Sequence, residues 1–143
     1  MKAPERIVVV GASAAGASAA HALRAAGYGG ALALVGEESD LPYDRPPLSK
    51  QALLGPWQPE KLQLINAAGY SEMAIDLVLG SRAVQLDLDQ RTVRLSDGER
   101  LAFDGLIIAT GSSPRMLPSL SAAVNVHSLR TTGDAMKLRQ VFE

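Results

Sequence analysis

The chain has 143 residues, of which 47% are hydrophobic and 20% are charged. This length and balance are typical of one folded globular domain and exclude a disordered or fibrous chain. Fourteen Lys and Arg residues against fifteen Asp and Glu residues leave a net charge of -1, so the chain lacks the basic field that nucleic acid or an anionic membrane surface would attract.

The chain contains no cysteine. This excludes disulfide frameworks, thiolate metal sites and cysteine nucleophiles. The N-terminal residues have no secretory h-region and cleavage site, and no segment approaches the roughly 18 consecutive apolar residues of a membrane span. We therefore expect a cytoplasmic protein with neither nucleic acid nor membrane as a partner.

The first 35 residues predict a strand, a helix and a second strand. Ile7 to Val10 is a β-branched run that Gly11 ends, which is typical of a central, buried parallel strand. Residues 14–26 are mostly alanine, the best helix former, and Gly27 follows as a stop signal. Ala31 to Val35 is the second apolar run. The order and length predict a βαβ unit.

The middle of the chain changes character twice. Residues 39–47 hold three prolines and predict a loop, Leu48 to Leu54 predicts a short helix behind Pro47, and residues 57–73 are expected to be partly helical. From Ile75 the hydrophobic period is two, which predicts a small antiparallel meander over about 75–103, with Asp97-Gly98 as a hairpin turn.

The last part returns to the parallel pattern. Leu106 to Ala109 predicts another buried strand and residues 131–143 predict a helix. The fold class is therefore α/β: a parallel sheet with helices and an inserted small antiparallel β meander.

A glycine-rich turn links the first strand and helix. Gly11, Ser13 and Gly16 form a G-x-S-x-x-G version of the dinucleotide fingerprint, with a strand before it and a helix after it. Gly11 permits the tight turn, and the helix N-terminus offers free N–H groups to a pyrophosphate. Ser13 stands where the pattern has glycine, and we expect its hydroxyl to donate a hydrogen bond to the phosphates.

An acidic residue follows the second strand. Glu37 lies 21 residues beyond Gly16, where a carboxylate can accept both hydroxyls of an adenosine ribose. Strand, turn, helix, strand and acid in this order predict a dinucleotide site, whereas the turn alone would fit a tightly packed strand-to-helix connection.

Three longer motifs carry a resemblance to a known family. They are Y-D-R-P-P-L-S-K (Tyr43 to Lys50), L-I-I-A-T-G-S-S-P-R (Leu106 to Arg115) and S-L-R-T-T-G-D-A (Ser128 to Ala135). Together they resemble the flavoprotein ferredoxin and rubredoxin reductases. These reductases serve Rieske-type oxygenases and some cytochrome P450 systems and are related to apoptosis-inducing factor.

The resemblance implies a Rossmann-like FAD-binding domain with adenosine at the βαβ unit and isoalloxazine at the proline-rich loop. It assigns cofactor contacts to the turn, the ribose acid, the loop cations, the start of the meander and two later motifs. These residues are Gly11, Ser13, Ala14, Ala15, Gly16, Glu37, Arg45, Lys50, Ala83, Val84, Ala109, Thr110, Gly111 and Arg130.

Two of these residues are cations of the proline-rich loop. The resemblance implies that Arg45 reaches the pyrophosphate and that Lys50 lies near the flavin ring. A cation there would stabilise the negative charge that two-electron reduction places on the isoalloxazine, so Lys50 is the candidate catalytic residue.

The absence of cysteine bears on the electron acceptor. Disulfide reductases related to this family place a redox cysteine pair beside the flavin, whereas this chain has prolines, Ser49 and Lys50 there. Electrons from NADH would therefore leave through FAD to an outside ferredoxin or rubredoxin-type carrier.

Members of the family are considerably longer than this chain and bind NADH through a second glycine-rich unit. No second G-x-G-x-x-G occurs here. We therefore expect residues 1–143 to be the N-terminal segment of a discontinuous FAD-binding domain, with 131–143 as a connector helix toward an NADH domain. Such a segment alone should show negligible NADH turnover and weak or absent FAD retention, and its exposed apolar surface allows self-association.

Two other functions fit parts of the sequence. One is a stand-alone NAD-binding Rossmann dehydrogenase, although none of Tyr28, Tyr43 and Tyr70 has the lysine four residues on that short-chain dehydrogenases use. The other is a non-catalytic module that binds a nucleotide or a partner protein.

Overall fold

The chain is described by a computed structural model over residues 3–120 and 123–142. Two compact units are present: Met1–Tyr43 with Leu64–Thr110, and Asp44–Gln63 with Gly111–Glu143. We refer to them as unit 1 and unit 2.

A four-stranded parallel sheet forms the centre of unit 1. Its order is β3-β2-β1-β7, and the strands are β1 Arg6–Val10, β2 Ala31–Val35, β3 Asp76–Val78 and β7 Gly105–Ile108. Val8 on β1 lies opposite Ala33 on β2 and Leu106 on β7. Val8 and Val9 are fully buried, as expected for a central parallel strand that is covered on both faces.

Two helices cover one face of this sheet: α1 Ala14–Ala25 and α3 Ala67–Glu72. Ala17 and Ala20 of α1 pack with Val9, Leu34 and Tyr70 in one core cluster. The alanine-rich sequence of α1 suits this position, because small side chains let a helix approach a sheet closely.

An antiparallel meander covers the other face. It has the order β4-β5-β6, with β4 Ala83–Asp87, β5 Thr92–Leu95 and β6 Arg100–Ala102. Val93 and Leu95 of β5 join Val8, Val10 and Val35 of the parallel sheet in the second core cluster. The predicted Asp97-Gly98 turn joins β5 to β6, and Gly98 has φ +95°.

The start of the meander was predicted wrongly. The segment from Ile75 does not pair with the meander; its strand Asp76–Val78 pairs in parallel with β2 at the edge of the main sheet. Alternation of apolar and polar residues is the same in a half-buried parallel edge strand and in an antiparallel strand, so periodicity cannot distinguish the two. The meander begins at Ala83.

Unit 2 contains short helices and one longer helix. A 3-10 helix, Pro46–Ser49, leads into α2 Gln51–Leu54; further 3-10 turns lie at Pro59–Leu62 and Pro118–Leu120; α4 spans Thr132–Phe142. The predicted helix over Leu48 to Leu54 is therefore two pieces joined at Lys50. The predicted helix over 131–143 is present as α4, and Glu143 lies outside the described residues.

No helix within residues 3–120 and 123–142 is both long enough and apolar enough to cross a membrane.

Candidate functional site

The turn between β1 and α1 is closely packed backbone. Gly11 has φ +117°, and a β-carbon there would lie 2.1 Å from the carbonyl oxygen of Ala109. A β-carbon at Gly16 would lie 1.8 Å from the carbonyl oxygen of Gly11. The first and last glycines of the motif are thus required by the path of the chain.

The strand ends on both sides fix this turn. The amide N–H of Gly11 donates to Val35 at 2.8 Å, and that of Ala109 donates to Val10 at 2.7 Å. The amide of Ala17 donates to Ser13 at 2.9 Å, so α1 begins directly after Ser13, which has extended backbone at φ -124°. The free N–H groups of the first helical turn, at Ala14 and Ala15, therefore stand at the carboxyl end of the parallel sheet, where nucleotides bind in open α/β folds.

Glu37 lies just beyond the end of β2, as its sequence position predicts. Its side chain is 68% exposed, and its Oε1 is 3.7 Å from Nη1 of Arg82, which is equally exposed. Backbone hydrogen bonds from Gly36 to Val78 and from Ser81 to Gly36 hold the β3-to-β4 connection beside it. Sequence reasoning missed Arg82, because no motif links it to Glu37 across the intervening residues.

The two candidate adenine contacts lie at an irregularity in the meander. The pairing of β4 with β5 shifts register between Ala83 and Gln85, so Val84 occupies a bulge. A bulged residue is left out of the ladder and can offer its backbone to another group. Ala83 is half-buried and Val84 is 47% exposed.

The A-T-G motif divides between the two units. Ala109 and Thr110 follow β7 in unit 1, with the Ala109 carbonyl against Gly11. Gly111 belongs to unit 2. Its φ is +68°, and Nη2 of Arg130 lies 3.2 Å from the position that a β-carbon would take.

Unit 2 brings Arg45 and Arg130 together around one hollow of about 290 Å³, which we call the arginine hollow. The guanidinium of Arg45 donates through Nη1 to the carbonyl oxygen of Arg130. The other lining residues are Leu48, Ser49, Ser112, Ser113, Pro114 and Leu129. Two guanidinium groups and three hydroxyls in one hollow form a site suited to a phosphate-type anion.

The sequence alone does not mark the three serines of the arginine hollow as site residues. Ser49 lies within Y-D-R-P-P-L-S-K, and Ser112 and Ser113 lie within A-T-G-S-S-P-R. Their presence inside two recognised motifs was the available signal, but a serine in a loop has no pattern that separates a ligand contact from a solvated hydroxyl.

Asp134 fixes the backbone of Arg130. Its Oδ2 accepts the backbone N–H groups of Arg130 and Thr131 at 3.0 and 3.1 Å. Burial raises the pKa of the Asp134 carboxyl, but these backbone hydrogen bonds, the Thr131 hydroxyl and the charge of Lys137 outweigh it, so its pKa lies below the ordinary value. The backbone N–H of Asp134 in turn donates to Oγ1 of Thr131 at 3.1 Å, so Thr131 and Asp134 form a reciprocal capping box at the start of α4, and the ionised carboxylate holds Arg130 at the helix entry.

Lys50 lines a different hollow from the two arginines. This second hollow has a volume of about 650 Å³ and is also lined by residues of the segment 51–62, among them Trp57 and Lys61. Its Nζ donates to the carbonyl oxygen of Pro46 at 3.2 Å, so the ammonium is folded back over the 3-10 turn.

Comparison with known proteins places these features in a family. The model of the pyridine nucleotide-disulphide oxidoreductases matches residues 5–142. A p-cumate 2,3-dioxygenase system ferredoxin--NAD(+) reductase component from Pseudomonas putida is 46% identical over 139 residues, which are 96% of this chain and 34% of that protein.

Solved structures show the same relationship. Putidaredoxin reductase, in its covalent complex with putidaredoxin, superposes with a TM-score of 0.90 at 39% identity over 96% of this chain and 34% of its own. NADH:rubredoxin oxidoreductase from Clostridium acetobutylicum gives 0.81 at 26% identity, over 94% and 35%. The chain spans about a third of the length of these relatives. With the family model covering nearly all of it, the chain belongs to the pyridine nucleotide-disulphide oxidoreductase family.

Proposed function

We propose that this chain binds FAD and forms the FAD-binding part of an NADH-dependent reductase that passes electrons to a ferredoxin or rubredoxin-type carrier. The observation that carries the proposal is the turn at the carboxyl end of the parallel sheet. There Gly11 and Gly16 leave no space for a side chain, and the free N–H groups of α1 follow directly. Such a turn fits a pyrophosphate, because the backbone itself must approach the phosphate oxygens.

Glu37 is proposed to accept hydrogen bonds from the ribose hydroxyls of the adenosine. Its ion pair with Arg82 is long and exposed, and such surface pairs contribute only about 0 to 1 kcal/mol. The carboxylate can therefore give up or share this partner when a ribose binds. Ala83 or Val84 would supply a backbone contact to the adenine at the bulge.

The arginine hollow supports an anionic ligand on electrostatic grounds. Arg45 and Arg130 both line one small hollow, and guanidinium groups bind phosphate-type anions through paired, directed hydrogen bonds. We propose that they contact the FAD pyrophosphate, with Gly111 and the hydroxyls of Ser112 and Ser113 close by.

Lys50 is proposed to act on the flavin ring. When bound, the flavin would accept a hydride and release single electrons. The residues of this chain would bind it and set the charge around it. Since reduction adds negative charge to the ring, an ammonium at Lys50 would favour the reduced form. Rotation of the lysine side chain away from Pro46 would extend the ammonium, at the loss of one exposed hydrogen bond.

NADH and the electron carrier are proposed from the relatives. The names of the similar proteins include a ferredoxin--NAD(+) reductase component and an NADH:rubredoxin oxidoreductase. The absence of cysteine from this chain leaves it without the thiol pair through which a disulfide reductase passes electrons. The chain alone is proposed to have no NADH-dependent turnover, because it carries one glycine-rich dinucleotide turn.

Titration with two flavins tests the FAD assignment. The fluorescence of FAD should be quenched when the protein binds it. FAD should bind at least about tenfold more tightly than riboflavin, which lacks both pyrophosphate and adenosine. Glu37→Gln should weaken the binding of FAD and leave the binding of riboflavin unchanged. Glu72→Gln, on the exposed surface of α3, is the control. Equal affinities for the two flavins would contradict a pyrophosphate site.

Reduction of the bound flavin tests the enzyme assignment. The protein made from the uninterrupted reading frame that contains this chain should show oxidised-flavin absorption that NADH bleaches under anaerobic conditions. Electrons should then reach a bacterial ferredoxin. A flavin that NADH does not bleach would overturn the proposed donor, while FAD binding would stand on the titration.

A further inference from the structure

One guanidinium group joins α4 to the far end of α2. Nη1 of Arg139 lies 2.9 Å from the carbonyl oxygen of Ala52, 3.2 Å from that of Leu53 and 2.6 Å from that of Gly55. The carbonyls at the end of a helix have no intrahelical partner, and a cation there also complements the negative end of the helix dipole. Arg139 therefore caps α2 from a different element.

Helix α2 needs such a support. It spans only the four residues Gln51–Leu54, and isolated helices shorter than about 12 residues are marginal in water. Its hydrogen bonds are few: the amides of Leu53 and Leu54 donate to Lys50 at 3.0 and 3.1 Å, and that of Gly55 donates to Gln51 at 2.8 Å.

The same hydrogen bonds tie the backbone of Lys50 to the helical turn that Arg139 caps. The Lys50 carbonyl accepts two of the three amides, and its backbone, at φ -134° and ψ -102°, joins the 3-10 turn to α2. The direction in which the Lys50 side chain leaves this junction thus depends on whether α2 keeps its turn.

We propose that Arg139 is a positioning residue that holds α2 in its turn and thereby sets the position of the Lys50 ammonium. The inference rests on the proposed role of Lys50 beside the flavin. A tether in α4 then acts on flavin chemistry without contact with the flavin, through the carbonyl groups of Ala52, Leu53 and Gly55.

Hydrogen exchange tests the tether without any flavin present. In Arg139→Gln, the amides of Leu53, Leu54 and Gly55 should exchange roughly tenfold faster or more, since hydrogen bonds from a charged donor are stronger than those from a neutral one. Lys137→Gln removes a cation from the same helix and should leave these three amides unchanged. Unchanged exchange in Arg139→Gln would overturn the proposal.

The flavin midpoint potential tests the consequence, in the protein from the uninterrupted reading frame. Lys50→Ala should lower the potential, and Arg139→Gln should lower it in the same direction by a smaller amount. In the Lys50→Ala background, Arg139→Gln should cause no further change in the potential. With Lys50 present, Arg139→Lys should lower the potential less than Arg139→Gln does.

The outcomes separate this inference from the proposed function. If Lys50→Ala lowers the potential and Arg139→Gln does not, the positioning role of Arg139 is wrong and that of Lys50 stands. An additive effect in the double variant would also exclude action through Lys50. An unchanged potential in Lys50→Ala would mean that Lys50 does not act on the flavin ring and that Arg139 cannot act on the flavin through it. Hydrogen exchange would still decide whether Arg139 holds α2.

Discussion

At the scale of single residues, Gly16 has no space for a side chain. Gly16→Ala would place a β-carbon 1.8 Å from the backbone oxygen of Gly11, so the turn must move. Forced overpacking of this kind costs about 1 to 3 kcal/mol, and denaturant unfolding should show this loss of stability. Gly29→Ala is the matched control: it meets nothing within 4 Å and should change stability by less than about 0.5 kcal/mol. Equal effects of the two variants would contradict the packing argument.

Tyr70 offers a test in the opposite direction. It is 1% exposed, and its hydroxyl has no hydrogen-bond partner among residues 3–120 and 123–142. Burial accordingly raises its pKa. Because an unpaired buried hydroxyl costs about 1 to 3 kcal/mol, Tyr70→Phe should raise the free energy of unfolding.

Tyr28→Phe is the control for that variant. The hydroxyl of Tyr28 donates to the carbonyl oxygen of Ala31 at 3.1 Å, so its removal should lower stability or leave it unchanged. Thermal unfolding of both variants decides the matter, and a loss of stability in Tyr70→Phe would show that the hydroxyl is satisfied in solution.

At the scale of elements, the acid in the first turn of α4 predicts a pH dependence of stability. Hydrogen bonds from Thr131 and Arg130 hold the pKa of Asp134 below its ordinary value of 3.8. A carboxyl with a lowered folded-state pKa stabilises the fold above its unfolded pKa, and this contribution is lost as pH falls through the folded value. Asp134→Asn should therefore be less stable than the parent at neutral pH, and the difference should shrink below pH 3.8.

Carbon-detected titration of the Asp134 carboxyl, together with acid unfolding of both proteins, measures this effect. Asp76→Asn, at an exposed position of β3, is the control for removal of a carboxylate elsewhere in the fold. A difference between parent and Asp134→Asn that persists at pH 2 would assign the stabilisation to packing instead of charge.

The elements of unit 1 were predictable where local pattern and tertiary role agree. The run from Ile7 is buried on both faces, and its sequence is continuously apolar; Ala31 to Val35 matches its strand to the residue. The strand after Ile75 was assigned to the wrong sheet. Alternation of apolar and polar residues indicates that one face of a strand is buried, but it does not indicate which strand lies beside it. Its partner, β2, lies some forty residues earlier.

The candidate site divides in the same way. Gly11, Gly16 and Glu37 follow from spacing within one βαβ unit, where each position is set by the turn or by the strand end. Arg82 and Arg139 act through long-range contacts with Glu37 and with the end of α2, and no local pattern marks them. Such contacts exist only once the chain is folded.

At the scale of the whole molecule, the two units should differ in local stability. Unit 1 contains both core clusters, with Val8, Val9, Leu32 and Leu34 fully buried. Among its described residues, unit 2 has few buried side chains, such as Leu48, Ala52 and Ala135. Local opening is easiest where few apolar contacts hold the backbone. In native-state hydrogen exchange, β1 and β2 should exchange slowest, and α2 and α4 much faster.

Adding FAD to the same experiment distinguishes a binding effect from intrinsic stability. A ligand that binds only the folded chain stabilises it by about 2.7 kcal/mol at a concentration of 100 Kd. If each unit contacts FAD, exchange should slow both after β1, at Ala14 to Ala17, and around the arginine hollow, at Ser112 and Arg130. Protection in unit 1 alone would mean that the chain binds the adenosine end and that Arg45 and Arg130 serve another anion. Protection around the arginine hollow alone would contradict the role of the glycine-rich turn, since the N–H groups of α1 would then remain open to water.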